Sequence, residues 1–141
     1  MIALDIFCDW FTGRWNNRAQ AHSNPRGQAY VMARHDRISD TEFRCVYHYH
    51  RDKTPYRDFT LNINGHDSDI ILSDKETKLV YSLYNGAYTC HFDQVIKGKR
   101  YVFDSVLANA FYKLNDQCFD GTRLVRGLET GEFYDFRKVS D

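Results

Sequence analysis

Proline is nearly absent, with two residues in a chain of 141. No Pro-rich linker divides the sequence, and its length suits one domain, which we place over residues 1–141. Net charge is absent too, because 19 basic residues balance 19 acidic ones. That excludes a global field for gathering nucleic acid or an anionic membrane, and neither is expected as a partner. Long apolar runs are missing: the opening MIALDIFCDWF lacks a positive leader and is too short for a signal peptide or a membrane span. The four cysteines, Cys8, Cys45, Cys90 and Cys118, contain no CxxC pair. Neither a zinc site nor a disulfide framework is signalled, and the expectation is a soluble, reduced, cytoplasmic protein.

What the chain does have is aromatic side chains, 16% of residues, a level that favours a β-rich domain or one that stacks on a flat ligand. Ile2, Ile6, Phe7, Trp10 and Phe11 fall at helical spacing with Asp5 and Asp9 opposite, which predicts a short helix ended by Gly13. Residues 14–20 read as a first strand or turn, and Ser23 to Gly27 as a loop. Strands are predicted over 29–34, 43–50, 58–63, 70–72, 79–83, 87–96, 100–107, 110–114, 124–128 and 133–139. Asp36 to Asp40 reads as a polar connection and Asn115 to Thr122 as a polar loop. Turns are expected at Asn64-Gly65, Asn85-Gly86, Lys97-Gly98-Lys99 and Glu129-Thr130-Gly131. One helix followed by about nine or ten short strands implies an antiparallel barrel or sandwich, and a barrel of this size can hold a small ligand.

The stretch from Phe43 to Ile63 carries the best site candidates. Phe43, Cys45, Tyr47 and Tyr49 alternate with polar residues, so Tyr47 and Tyr49 point to one side of a sheet, towards a core or a cavity. Pro55 fixes the turn before Tyr56 and Arg57. On these residues alone that pair is equally a site for a flat acidic ligand or an ordinary surface ion pair and core edge. His48 and His50 form an HxH pair that two metal ligands, or two rim histidines, would share. No acidic residue follows at the spacing of the β-barrel metalloenzymes. Cys45 and Cys90 alternate with aromatics and read as inert core, and Cys8 as packed on the helix. Cys118 sits between Asp116 and Asp120, where negative charge disfavours a thiolate. Those two aspartates read as an acid–base pair or a solvated turn.

Several stretches, in order, resemble the T-type phycobiliprotein chromophore lyases (CpcT/CpeT). WFTGRWNNRAQA is similar to the family's W-x-x-G-x-F/W-x-N-x-x-Q-A segment, through Trp10, Gly13, Trp15, Asn16 or Asn17, and Gln20. VYHYHRDKTPYRDF, Tyr47 to Phe59, resembles its Tyr-rich strand followed by PYR. GAYTCHF from Gly86, RYVFDS followed by NDQCFD, and RGLETGEFYDF resemble its later motifs. The resemblance spans nearly the whole chain.

It implies a mainly β protein: an antiparallel up-and-down β-barrel of calycin (lipocalin-like) type with a short N-terminal helix. It implies binding of a linear tetrapyrrole, phycoerythrobilin or phycocyanobilin, as substrate with no permanently bound cofactor. The chromophore would go to a cysteine of a phycobiliprotein β-subunit, with a bilin reductase as donor and a homodimer as the assembly. Short members occur in viruses of cyanobacteria. Carried over residue by residue, the motifs place Tyr47, Tyr49, Tyr56, Arg57, Tyr88, Asp116 and Arg126 at the bilin, with Arg57 and Asp116 in catalytic roles. Two positions depart from the pattern. Phe59 stands where the family has a further arginine, and Arg126 where it has a tryptophan, so Arg126 is a candidate to replace the missing cation. The alternative readings are a non-catalytic bilin carrier and a metal-dependent barrel enzyme using His48 and His50.

Overall fold

The computed structural model describes residues 3–24 and 26–139. Ile2 and Pro25, assigned above to the helix and a loop, lie outside them. Helix α1 (Ala3–Phe11) buries Phe7, Cys8 and Phe11 and exposes Asp5 and Asp9, as its apolar spacing requires. Gly13 does more than end the helix: at φ +132° it opens strand β1 (Gly13–Asn16), in a conformation that side chains rarely adopt. A second helix, α2 (Arg18–Ser23), replaces the expected strand or turn. Its cause is a clamp of two side-chain amides, buried Asn17 and half-buried Gln20. Asn17 Oδ1 accepts from the Val31 N–H at 2.7 Å, and its amide donates to the Ala29 carbonyl at 2.7 Å. Gln20 donates to the Phe133 carbonyl at 2.7 Å and accepts from the Asp135 N–H at 2.9 Å. The N-x-x-Q spacing therefore ties one turn of helix to two distant strands.

Ten further strands follow: β2 (Val31–Ser39), β3 (Glu42–Tyr49), β4 (Arg57–His66), β5 (Asp69–Ser73), β6 (Lys78–Tyr84), β7 (Ala87–Ile96), β8 (Lys99–Leu107), β9 (Phe111–Asp120), β10 (Arg123–Arg126) and β11 (Tyr134–Lys138). All pair antiparallel. Strands β1 to β9 neighbour one another in sequence order, and β11 joins β9 back to β1. Ten strands thus close the expected up-and-down barrel. β10 lies outside the ring, along the last residues of β9.

Three expected boundaries move. β2 runs on through the polar residues to Ser39, because Asp36 and Arg37 pair with Arg44 and Phe43. Asn64 and Gly65 are not a turn but ladder residues opposite Ile71 and Ile70, and the chain reverses at Asp67, φ +54°. The predicted loop from Asn115 is strand β9. Its polar side chains are buried because residues 127–130 cross its outer face: Asn115 donates to the Leu128 and Glu129 carbonyls, and Gln117 to Leu128. The turns at Asn85-Gly86 and Lys97-Gly98 form where expected, each with both residues at positive φ.

Helix α1 closes one end of the barrel. Phe7 packs against Tyr81 and Tyr88, both at 5.2 Å between ring centres, and Phe11 stacks on His35 at 4.0 Å. The end of a helix leaves carbonyls without intrahelical partners. Here the Phe11 carbonyl accepts from the Trp15 indole at 3.2 Å and lies 3.0 Å from His35 Nδ1. No helix among the described residues is long and apolar enough to cross a membrane.

Candidate functional site

The other end of the barrel is open, and a cavity of about 1020 Å³ runs inward from it. Phe11 stands at its floor with Tyr47, Tyr81 and Tyr112, and Tyr101, Phe103, Tyr134 and Phe136 form walls. The volume lies at the upper end of small-ligand sites, and the lining joins aromatic surface to charged side chains, Arg57, Asp58, Asp74, Glu76, Asp116 and Arg126.

Arg57, Asp116 and Arg126 meet at the mouth. Arg57, on the first residue of β4, is paired with the Asp116 carboxylate. Arg126 Nη2 lies 3.6 Å from the other Asp116 oxygen. Asp116 sits in the middle of β9, not in a loop, and its side chain is only 21% exposed. Two local devices bring Arg126 there. A register shift between Leu124 and Arg126 sets Arg126, instead of Val125, opposite inward-facing Cys118. This is how a β-bulge re-aims a side chain. Then Gly127, at φ +99°, lets the chain pass over β9, where a Cβ would lie 2.5 Å from the Asp116 carbonyl oxygen. No side chain fits there.

The other proposed residues divide. Tyr49 and Tyr56 stack on each other at 4.7 Å at the rim, 45% and 43% exposed. Tyr47 lies deep, stacked parallel to Phe59 at 6.2 Å, and the Arg57 guanidinium covers Phe59 at 4.7 Å. Phe59 thus gives Arg57 a platform where the related pattern has a second cation. Tyr88 is fully buried beneath α1, against Phe7 and Trp10, and does not line the cavity. Its place among the bilin residues is not supported by this position. The alternation reading put it on the inner face correctly, but at the closed end.

The remaining candidates stay apart from the mouth. His48 Nδ1 lies 2.9 Å from the Tyr49 carbonyl and 3.1 Å from that of Asp52, and His50 stacks on Tyr30 at 4.3 Å. Among the described residues no three His, Cys, Asp or Glu side chains converge as metal ligands. Asp120 faces Arg123 and does not join Asp116. All four cysteines are buried. Burial pushes the thiols of Cys45 and Cys90 up to about 12 and raises that of Cys8, which leaves them as thiols at neutral pH.

Sequence reasoning missed His35. It is fully buried, and burial holds its imidazole down at about 4. His35 Nε2 lies 2.8 Å from the Tyr47 hydroxyl, whose oxygen is 3.4 Å from that of Tyr112. The signal was its place in an alternating row with Val31 and Ala33, hidden by the charged residues between and after them.

A closed antiparallel barrel, plugged by a helix at one end and opening an aromatic cavity at the other, is a calycin-like fold. The T-type phycobiliprotein lyase CpeT from Prochlorococcus phage P-HM1 has this fold, with a TM-score of 0.81 and 24% identity over 97% of this chain and 98% of that one. The CRL protein of Arabidopsis superposes with a TM-score of 0.78 at 12% identity, over 99% of this chain and 100% of that one. No family profile and no curated protein matches the sequence.

Proposed function

We propose that this barrel is a bilin lyase: it binds a linear tetrapyrrole and promotes its thioether attachment to a cysteine of a phycobiliprotein β-subunit. The observation that carries the reading is the pair of arginines sharing one aspartate at the mouth of an aromatic cavity. A bilin is a conjugated, largely apolar chain of four rings with two propionates and several N–H groups. The aromatic walls remove its rings from water. Arg57 and Arg126 match its two carboxylates, and a guanidinium binds a carboxylate bidentately. The likeness to a phage lyase supports the same reading.

The ion cluster gives this binding a chemical consequence. Each propionate that takes an arginine releases one oxygen of Asp116. The freed carboxylate then accepts pyrrole N–H bonds and favours the protonated, electrophilic chromophore. The acceptor thiolate adds to the ethylidene carbon, and the net change is addition of S–H across that double bond. The barrel supplies no nucleophile. Its contribution is orientation, choice of face and placement of a proton. The bilin is a substrate that leaves with the acceptor.

The test is co-expression with enzymes that make phycoerythrobilin and with an apo β-subunit. A coloured adduct that survives denaturation is expected on the β-subunit. Colour that stays with the barrel and is lost on denaturation would make it a carrier instead.

A further inference from the structure

Resting on that reading, we propose that the mouth of the barrel is also a protein-docking surface, a basic collar that receives an acidic surface around the acceptor cysteine. Charge is distributed unevenly along the barrel axis. In an up-and-down barrel, alternate hairpin turns lie at opposite ends. The turns at the mouth, residues 49–57, 73–78, 96–99 and 120–123, carry eight lysines and arginines against four aspartates and glutamates. The turns at the helix end, residues 39–42, 66–69, 84–87 and 107–111, carry four acidic residues and no lysine or arginine. Helix α1 adds exposed Asp5 and Asp9 there. A chain without net charge is thus polarised end to end, positive where the cavity opens.

Pairing sharpens the difference. The four acidic side chains in the mouth turns are engaged within them. Asp52 accepts from the Thr54 N–H at 3.0 Å, and Asp74 from the N–H groups of Glu76 and Thr77 at 2.9 and 2.8 Å. Glu76 meets Lys97 at 3.0 Å, and Asp120 faces Arg123. Arg51, Lys53, Lys75, Lys78 and Lys99 are exposed, and none of them forms an ion pair among the described residues. Apolar surface sits inside this ring of charge: Tyr49, Tyr56 and Val125 are all exposed and all line the cavity. An apolar centre within a charged rim is the anatomy of a protein interface.

The proposed reaction supplies the occupant. Helix α1 closes the far end, so a cysteine that attacks a bilin in the cavity arrives through the mouth. The protein surface around that cysteine then lies against the collar, where an acidic surface is complementary and a basic one is repelled. The acidic helix end turns the same partner away, so encounter is steered mouth first. A positive collar also favours the thiolate form of the arriving cysteine.

The test is transfer in vitro, from the chain loaded with phycoerythrobilin to purified apo β-subunit kept below saturation. Wild type is compared with a mouth pair, Lys53→Glu with Lys75→Glu, and a helix-end pair, Asp9→Lys with Asp40→Lys. A combined variant carries all four changes, which restores zero net charge with the polarity reversed. None of these residues lines the cavity, so absorbance on bilin loading should be the same in every chain. The mouth pair should slow transfer about tenfold, and saturating β-subunit should recover the rate. The helix-end pair should leave the rate unchanged, and the combined variant should be as slow as the mouth pair. Raising salt from about 50 to about 500 mM should slow wild type about tenfold and the mouth pair little. A combined variant as fast as wild type would overturn the proposal, because net charge and not the collar would then be read. If thioether forms at one rate in every chain and at every salt, the docking proposal falls and the lyase reading stands. Attachment of the ligand-free chain to vesicles of about one-third phosphatidylserine, lost in the mouth pair, would then assign the collar to a membrane. If loaded wild type forms no thioether, the lyase reading falls and the docking proposal with it.

Discussion

At the helix end of the barrel a buried histidine lies within hydrogen-bond distance of a helix carbonyl and of the Tyr47 hydroxyl, which neighbours that of Tyr112. At the mouth two arginines, 42% and 54% exposed, share a single aspartate. The first set is shielded, and changing it disturbs the core. The second is half in water, where an ion pair adds little stability and its partners exchange readily. The contrast teaches a division of burial: the helix end belongs to the core, and the ion pairs at the mouth are open to replacement.

That division is easiest to break from the floor. Phe11→Ala removes a ring that touches His35, Phe43 and Tyr112, and should cost about 4 kcal/mol in chemical denaturation. A cost below that of Arg57→Ala would undo the contrast. Next comes acid. His35 titrates near 6.5 when unfolded and at about 4 when folded, so the unfolded chain takes up the proton first. Its contribution to stability is whole above pH 6.5 and is lost as pH falls towards 4, by about 3 kcal/mol. Burial is the main cause; the hydrogen bond to the Phe11 carbonyl and then Asp36 oppose it, and Lys138 lowers the value further. Melting curves across that window should show the loss, and a His35→Phe chain, if folded, should not show this component.

At the mouth the effects move from stability to binding and transfer. Arg57→Ala should change folding stability by less than about 1 kcal/mol while weakening bilin binding about tenfold, the value of one charge-assisted hydrogen bond. Unaltered absorbance on titration would remove Arg57 from the site. Asp116→Asn keeps the shape of the residue but not its charge. Binding should persist while the yield of thioether falls, and full yield would exclude Asp116 from the chemistry. The smallest effect belongs to the cysteines: Cys45→Ala and Cys90→Ala should leave transfer unchanged, because their buried thiols do not ionise near neutral pH. A loss of transfer in a folded variant would mean a covalent intermediate on the barrel.

Much of the barrel was legible because its turns carry their own chemistry. Asn85-Gly86 and Lys97-Gly98 occupy positive φ, and the sequence marks both. Asn64-Gly65 carries the same signal and misleads, since pairing with β5 carries β4 three residues further. Asn115 and Gln117 look like loop residues because what buries them is another segment, invisible to a local reading. At the site, Tyr47, Tyr56, Arg57 and Asp116 were named from pattern and resemblance, and the structure brings Arg57 and Asp116 together. The inward turn of Arg126 depends on a bulge, and the setting of buried His35 on the carbonyl of Phe11 at a helix end. Neither is written in neighbouring residues.

One feature of the ring bears on how the protein is made. Its closing seam sets Trp15 opposite Lys138, so β1 waits for a partner synthesised more than a hundred residues later. At ribosomal speeds that wait is on the order of ten seconds. If β1 and β2 pair within it, they leave one bare edge, the kind of edge that recruits strands from other chains. The side-chain amides of Asn17 and Gln20 shorten the exposure at only one side: Asn17 can engage β2 early, whereas Gln20 must wait for residues 133–135. The yield of folded protein should therefore depend on events at the ribosome exit as much as on the stability of the finished barrel.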